Sequence, residues 1–225
     1  MQEKNLELLV GKEKCIAFLD LIGDYNPIHR KDNIVSGMYL YSELARLLGK
    51  ENYLKQELKF RKPIFYGDKI RLLIYPCSEN MLETKAAREN EIVLEGKAFF
   101  GEIKAKVEKD LAEKYLYSRK NLLEDYTKFC KIIECEESET SRKVFLSSML
   151  VGTFAGELFS AAGAKPVFHA AQTFDFLYGY IPDSFSVYEE ERKEKMGLRI
   201  MKFLLKDSRS NVILMHSSGT FKELT

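Results

Sequence analysis

The 225-residue chain has few histidines, few cysteines and no excess of one charge. Its 35 basic residues nearly balance 34 acidic ones, which leaves a formal net charge of +1. A chain without a basic excess has no global electrostatic reason to bind nucleic acid or an anionic membrane surface. The hydrophobic fraction of 45% and the charged fraction of 31% are typical of a globular domain, and the length allows one large domain or two smaller ones. We therefore expect no nucleic-acid partner.

The scarce cysteines and histidines also argue against metal sites and disulfide frameworks. No two of the four cysteines have CxxC spacing, and the closest pair is Cys130 and Cys135. Free thiols in a reducing compartment fit this pattern best, which predicts a cytoplasmic protein. The three histidines, His29, His169 and His216, form no HxH or HExxH string, and no glycine-rich nucleotide loop occurs. We expect neither a metal nor a cofactor.

Long uncharged segments are nearly absent. Residues 1–15 contain no apolar run of the kind found in signal peptides. Residues 145–164 carry only one charge, Glu157, and are long enough for a membrane span. The serines, the threonine and the small residues around that glutamate favour instead a helix buried inside the protein, so we expect no membrane span.

The same order of elements is predicted twice along the chain, which indicates two related units. In the first half, an apolar helix at 36–49, with Ser36 at its start and Gly49 at its end, precedes strand-like segments at 53–65, 69–75, 81–88 and 91–103. In the second half, a helix at 142–162 ending in Gly163 precedes strand-like segments at 167–181, 184–193, 198–207 and 211–224. Turn residues such as Gly67-Asp68 and Pro182-Asp183 separate the strands.

These elements predict two units joined by a linker. The first unit spans residues 1–105, a charged and partly helical linker spans 106–125, and the second unit spans 126–225, with an opening strand at 126–137. One apolar helix followed by a long-stranded antiparallel sheet can be buried if the sheet curls around it. This α+β arrangement resembles the hot-dog fold, and two copies in one chain form a double hot dog. An unrelated pair of α+β domains is the alternative.

The segment GDYNPIH, residues 23–29, carries a more specific resemblance. It resembles the Gly-Asp-x-Asn-Pro-x-His motif of the MaoC-like dehydratases, the (R)-specific enoyl thioester hydratases of the hydratase-2 type. The segment KFRKPIFYGDKIRL, residues 59–72, resembles that family's strand–turn–strand. The resemblance covers about residues 20–103, and the second half has no copy of the motif. A chance Asx-turn with a surface histidine is the alternative reading of the motif.

The resemblance implies acid–base catalysis on the C2–C3 bond of an acyl thioester by Asp24, Asn26 and His29. Hydration of a trans-2-enoyl thioester requires a group that takes a proton from the attacking water and a group that delivers one to C2. A carboxylate and an imidazole can divide these tasks near neutral pH. The amide of Asn26 can hold the water or a neighbouring loop, and Pro27 disfavours helix at Asn26 and stiffens the backbone.

The start of the helix at 36–49 is the predicted site for the thioester oxygen. Backbone N–H groups at Gly37 and Met38, beside Ser36, can stabilise the negative charge that develops there. Gly37 also allows close approach of a substrate because it lacks a Cβ.

The chain departs from the MaoC-like pattern after the histidine. The segment from His29 to Gly37 is short, and Ser36 stands where that family has a second histidine. This spacing is closer to the acyl-carrier-protein dehydratases, whose acid is a Glu or Asp on the helix. The corresponding position is Ser42, next to Glu43, so Asp24 is the predicted acid and Glu43 a reserve acid.

The remaining histidines and the second half receive supporting roles. His169 and His216 lie in strand-like runs and are predicted to be packed or paired rather than catalytic. The second unit is expected to complete the interface in which the thioester lies. The small residues in and after its helix either leave room for an acyl tunnel or allow close helix packing. These residues are Gly152, Ala155, Gly156, Ala161, Ala162 and Gly163.

Three functions follow as hypotheses. The first is a hydro-lyase that acts on 3-hydroxyacyl or trans-2-enoyl thioesters of CoA or acyl carrier protein. The second is a hot-dog thioesterase in which Glu43 or Asp24 activates water. The third is a non-catalytic protein that binds acyl thioesters. The chain is expected to be a monomeric pseudo-dimer or to pair further as a homo-oligomer.

Overall fold

A computed structural model describes residues 3–48, 52–102, 114–160 and 167–223. The first half contains β1 (Lys4–Leu9), α1 (Lys12–Ile22), α2 (Pro27–Arg30), α3 (Gly37–Leu48), β2 (Tyr53–Phe60), β3 (Lys69–Ser78), β4 (Met81–Arg88) and β5 (Glu91–Phe100). The second half contains β6 (Lys114–Lys120), α4 (Leu122–Ile133), α5 (Glu139–Ser160), β7 (Val167–Phe176), β8 (Ser184–Lys195), β9 (Leu198–Asp207) and β10 (Ile213–Glu223).

The ten strands form one antiparallel sheet with the order β1-β3-β4-β5-β2-β7-β10-β9-β8-β6. Each half contributes five neighbouring strands. From the centre outwards, the order is β2-β5-β4-β3-β1 in the first half and the equivalent β7-β10-β9-β8-β6 in the second. The halves join where β2 pairs with β7, with Glu57 opposite Thr173 near the middle of that ladder. The sheet is therefore arranged about a local twofold relation between the two halves.

The two long apolar helices, α3 and α5, pack against each other inside this sheet. The Ser42 and Ser148 hydroxyls meet at the helix contact, with 3.0 Å between their oxygens. Tyr41 of α3 is fully buried and stacks on Phe174 of the central strand β7, with ring centroids 5.6 Å apart. Two central helices wrapped by two joined sheets make a double hot dog, so the predicted fold class is confirmed.

The opening of the second half differs from the prediction. The strand expected at 126–137 is wrong: Leu122–Ile133 form α4. Tyr126, Phe129 and Ile133 are buried, and their spacing of three and four residues places them on one helix face. The strand that opens this half is instead β6, in the part of the chain predicted as a linker.

Some expectations cannot be compared with the fold. Gly49, Gly163 and the first part of the linker, residues 106–113, lie outside the described residues. The unit boundaries at 105 and 126 therefore stay a prediction.

Candidate functional site

The Asp-x-Asn-Pro-x-His motif forms a compact turn between α1 and α3. Helix α1 ends at Gly23, which has a φ of 77° and donates its N–H to the Leu19 carbonyl at 2.9 Å. Asp24 Oδ1 then accepts the Asn26 N–H at 3.0 Å, and Asn26 caps the short helix α2 by accepting the Ile28 N–H at 3.4 Å. Proline is favoured at the first position of a helix, where its missing N–H is not needed. These contacts fix the backbone of the whole motif.

The motif is buried, which separates it from an ordinary surface Asx-turn. Asp24, Asn26 and His29 are 4%, 5% and 6% exposed. Burial of three polar side chains is costly unless each finds partners. The structure thus brings together the three residues predicted to be catalytic.

Asp24 and His29 form a close acid–base pair. His29 Nε2 lies 3.4 Å from Asp24 Oδ2. On the other side of the ring, Nδ1 lies 2.8 Å from the Ile34 carbonyl oxygen. A carbonyl oxygen only accepts, so Nδ1 carries a hydrogen in both charge states of the ring. Nε2 is therefore the nitrogen that exchanges a proton, and it faces the carboxylate.

Two opposing effects set the pKa of His29. Burial disfavours the charged ring, but the Asp24 charge, the hydrogen bond to Asp24 and the Ile34 carbonyl together outweigh it, so the pKa is raised above its ordinary value. The raised pKa favours an imidazolium paired with a carboxylate. The Tyr66 hydroxyl donates to the His29 carbonyl oxygen at 2.8 Å and holds the same turn against the strand–turn–strand segment.

Asn26 connects the motif to the second half of the chain. Its Nδ2 donates a 2.8 Å hydrogen bond to the carbonyl oxygen of Val167, at the start of β7. The Asn26 side chain therefore orients the turn against β7. Both of its polar atoms have partners, since Nδ2 donates to Val167 and Oδ1 accepts from Ile28. The amide was predicted to hold the water or a neighbouring loop, and its partner here is the first residue of strand β7.

A cavity lies beside these residues, at the junction of the two halves. The first half lines it with Asp24, Asn26 and His29 and with the three residues predicted at the helix start, Ser36, Gly37 and Met38. The second half contributes apolar side chains from α5, β7 and β10, among them Val151, Phe154, Val167 and Phe221. Its volume is about 60 Å³, which is room for about two groups the size of a water molecule.

Phe60 covers the helix start. A Cβ built on Gly37 would lie 2.2 Å from Cε1 of the Phe60 ring. The ring thus occupies the space over the Gly37 backbone that was predicted for a substrate. Phe60 packs on His169, with ring centroids 4.7 Å apart, and His169 stacks on Phe221 at 4.8 Å.

His169 and His216 have the packed and paired roles predicted for them. His169 Nε2 lies 2.8 Å from Gln172 Oε1, and burial is the main cause that lowers the pKa of His169 to about 4. The ring is therefore neutral near pH 7 and forms part of the cavity wall. His216 Nδ1 lies 3.6 Å from a carboxylate oxygen of Glu190.

Glu43 is not placed to serve as the reserve acid. It is fully buried on α3 but is absent from the residues that line the cavity within the described ranges. Its two oxygens lie 3.1 Å from Lys14 Nζ and 3.1 Å from Arg46 Nη1. Glu43 follows Ser36 by seven residues, so its carboxylate lies about two helical turns, roughly 10 Å, further along α3, where it pairs with Lys14 of α1.

The small residues of α5 were predicted either to leave room for an acyl tunnel or to allow close helix packing, and the structure gives one example of each. A Cβ at Gly152 would lie 2.6 Å from the carbonyl oxygen of Ile22, so this glycine permits close packing of α5 on α1. Ala155 lines the cavity. Gly156, Ala161, Ala162 and Gly163 lie outside the residues whose surroundings are described.

The aromatic wall of the cavity leaves no signal in the sequence. Phe60, Phe154 and Phe221 lie on three different elements, and no local spacing indicates that they meet. Only the pairing of β7 with β10, where Phe221 is opposite His169, brings Phe221 to the site.

The described residues contain neither a metal-binding cluster nor a membrane-spanning helix. Within the described ranges, no three His, Cys, Asp or Glu side chains come close enough to hold a metal ion. None of the helices described is long and apolar enough to cross a membrane.

Comparisons with known proteins extend the fold assignment. No protein-family model and no curated protein matches the sequence. Among solved structures, a MaoC-like dehydratase has a TM-score of 0.64 at 10% identity and covers 99% of this chain and 98% of its own. HtdX of Mycobacterium tuberculosis has a TM-score of 0.64 at 10% identity over 99% and 100% of the two chains. The 12:0-ACP thioesterase from Umbellularia californica has a TM-score of 0.61 at 7% identity over 99% and 94%.

Dehydratases and acyl thioesterases thus share this double hot-dog architecture with the chain over nearly its full length. At such low identity the likeness concerns the fold alone, and the choice of reaction depends on the site.

Proposed function

We propose that this chain is a hydro-lyase that interconverts 3-hydroxyacyl and trans-2-enoyl thioesters. The observation that supports the proposal most directly is the 3.4 Å approach of Asp24 Oδ2 and His29 Nε2, both buried, at one cavity. The resemblance of residues 23–29 to the hydratase-2 motif assigns this pair the same chemistry. A CoA or acyl-carrier-protein handle is the expected substrate carrier.

The pair divides the proton transfers. A water molecule about 2.8 Å from both Asp24 Oδ2 and His29 Nε2 satisfies the geometry of two hydrogen bonds. In hydration, the Asp24 carboxylate takes a proton from this water as its oxygen bonds to C3. The imidazolium of His29 supplies the proton to C2, and the raised pKa of His29 keeps that proton available near neutral pH. Dehydration follows the same steps in reverse.

The thioester oxygen is proposed to bind at the start of α3. The N–H groups of Gly37 and Met38 lie in the first turn, where helix N–H groups have no acceptor within the helix, and both residues line the cavity. They can stabilise the charge that builds on the oxygen during addition. Because Phe60 covers Gly37, its ring must turn aside when the thioester binds.

An assay with crotonyl-CoA separates a hydro-lyase from a thioesterase and from a non-catalytic acyl-binding protein. Purified protein is mixed with crotonyl-CoA, and the enoyl absorbance and the free thiol are followed together. We expect the absorbance to fall without thiol release. Asp24→Asn and His29→Ala should each reduce the rate by about 10² to 10⁴, the range for loss of one positioned acid–base group.

His216→Ala is the matched control, since His216 lies outside the cavity lining and pairs with Glu190. It should retain the wild-type rate. Full turnover in both Asp24→Asn and His29→Ala would refute the proposed site.

A thioesterase is the second candidate, because solved acyl thioesterases share the fold. Glu43 is held by Lys14 and Arg46 away from the cavity, so Asp24 would have to activate the water. Thiol release from crotonyl-CoA that is lost in Asp24→Asn would favour this reaction. Absence of both signals, with a carrier-protein substrate also tested, would favour a non-catalytic acyl-binding protein.

A further inference from the structure

Two of the free cysteines meet at the C-terminal end of α4, outside the lining of the cavity. Cys130 lies in the last turn of α4, and Cys135 follows the C-cap residue Glu134. Cys15 is buried and Cys77 is exposed, whereas Cys130 and Cys135 are both half-buried.

The backbone brings the two cysteines together. Glu134 has a φ of 58°, in the left-handed region, and the Cys135 N–H donates to the Cys130 carbonyl oxygen at 3.1 Å. In this helix-ending motif the residue after the cap folds back onto the last helical turn, and the two side chains make contact. Here both of those side chains are thiols.

The thiols interact with each other. Cys135 donates a hydrogen bond to the Cys130 sulfur, and this bond is the main cause that lowers the pKa of Cys130, against the effect of burial and of Glu137. The same hydrogen bond, together with burial, raises the pKa of Cys135. A stabilised thiolate beside a protonated partner is the arrangement of an attacking and a resolving cysteine.

We propose that Cys130 and Cys135 form a reversible intrachain disulfide with a low-molecular-weight disulfide such as glutathione disulfide as the oxidant. The Cys130 thiolate attacks one sulfur of the oxidant, whose S–S bond breaks and releases one glutathione thiolate. Cys135 then loses its proton and attacks the Cys130 sulfur, which releases the second glutathione. The two cysteines together lose two electrons and two protons, and the oxidant becomes two glutathione thiols.

The consequence for the fold is local. The new bond would enclose Glu134, whose carboxylate lies 3.3 Å from Lys14 Nζ and 3.7 Å from Arg46 Nη2. These are the cations that pair with buried Glu43. Oxidation would therefore fasten the end of α4 beside the charge cluster shared by α1, α3 and α4. The site is independent of the proposed reaction.

Peptide mapping tests the proposal on the full chain. The folded protein is incubated with glutathione disulfide, alkylated at low pH and digested with trypsin, which cuts after Lys131 between the two cysteines. We expect FCK (129–131) and IIECEESETSR (132–142) to appear as one disulfide-linked product that dithiothreitol separates. Cys77 should gain only a mixed disulfide with glutathione.

Single variants assign the two roles. Cys135→Ser should accumulate one glutathione on Cys130, since the resolving thiol is missing. Cys130→Ser should add glutathione at Cys135 more slowly than Cys135→Ser adds it at Cys130, because Cys130 is the thiol whose pKa is lowered. Failure to detect the linked product while Cys77 becomes modified would overturn the proposal, as would equal rates of glutathione addition in the two single variants.

Discussion

At the scale of single residues, the site depends on how His29 is held. The Ile34 carbonyl accepts the Nδ1 hydrogen, which leaves Nε2 as the nitrogen for the proposed proton transfer, while Asp24 supplies both a partner and a compensating charge. The motif alone indicated that Asp24, Asn26 and His29 would lie together, and the structure places them in the lining of one cavity. The Ile34 and Val167 carbonyls could not be predicted, because backbone partners leave no trace in residue types. Val167 is also far away in sequence.

The raised pKa of His29 predicts a pH dependence of stability. In the unfolded chain a histidine titrates near 6.5, and in the folded protein the pKa is higher. The stabilisation by protonated His29 should be fully present below about pH 6.5 and should disappear as the pH rises through the folded value. Urea unfolding of the wild type and of His29→Gln at several pH values measures this stabilisation. The difference between the two free energies of unfolding should shrink with rising pH; growth of the difference would contradict the assignment.

The aromatic wall predicts selectivity for short acyl chains. Phe60, His169 and Phe221 line the cavity of about 60 Å³, and their rings pack on one another. Crotonyl-CoA should therefore be turned over better than a dodecenoyl thioester. Phe221→Ala should raise kcat/KM for the longer substrate, with little change for crotonyl-CoA. Phe185→Ala is a control for loss of a buried ring, since Phe185 lies outside the cavity lining. A longer substrate preferred by the wild type would contradict this wall.

At the scale of elements, the sequence indicated the strands better than the outer helices. The strands from β2 to β5 and from β7 to β10 have turn residues at both ends and could be predicted. Helix α1 was missed, although buried Cys15, Phe18, Leu19 and Ile22 have helical spacing. In α4, β-branched and aromatic residues suggested a strand. The segment is a helix, which buries Tyr126 and Phe129 on one face. Tertiary packing therefore overrode local preference in the helices outside the centre.

The contact between α5 and α1 can be tested at Gly152. A helical Gly→Ala change without hindrance would gain about 1 kcal/mol. Here the new Cβ would lie 2.6 Å from the Ile22 carbonyl oxygen, and overpacking costs about 1–3 kcal/mol. Because backbone cannot easily yield, we expect Gly152→Ala to destabilise the fold by up to about 2 kcal/mol in urea unfolding.

Gly11→Ala is the control for Gly152→Ala, because its φ is −75° and a Cβ there would meet nothing within 4 Å. It removes only a favourable N-cap residue, which costs about 0.5 kcal/mol. Equal effects of the two substitutions would argue against close packing at Gly152.

At the scale of the whole molecule, the two halves complete each other. Each half alone would expose the edge of β2 or β7 and the apolar face of α3 or α5, and exposed edges and apolar faces promote association. We expect fragments 1–105 and 106–225 to co-purify in equal amounts when expressed together. Size-exclusion chromatography should show each fragment alone as an aggregate or a self-associated species. A folded, monomeric fragment would contradict this dependence of each half on the other.

Because both halves belong to one chain and only the first contains the Asp-x-Asn-Pro-x-His turn, a substitution can alter one side of the cavity without altering the other. In a homodimer, any substitution appears twice and alters both halves of every binding site at once. In this chain β7 and β10 can change without altering Asp24 or His29, although they form one side of the same compartment. Under the proposed function, the acyl compartment can therefore diverge through the second half while Asp24 and His29 stay unchanged in the first half.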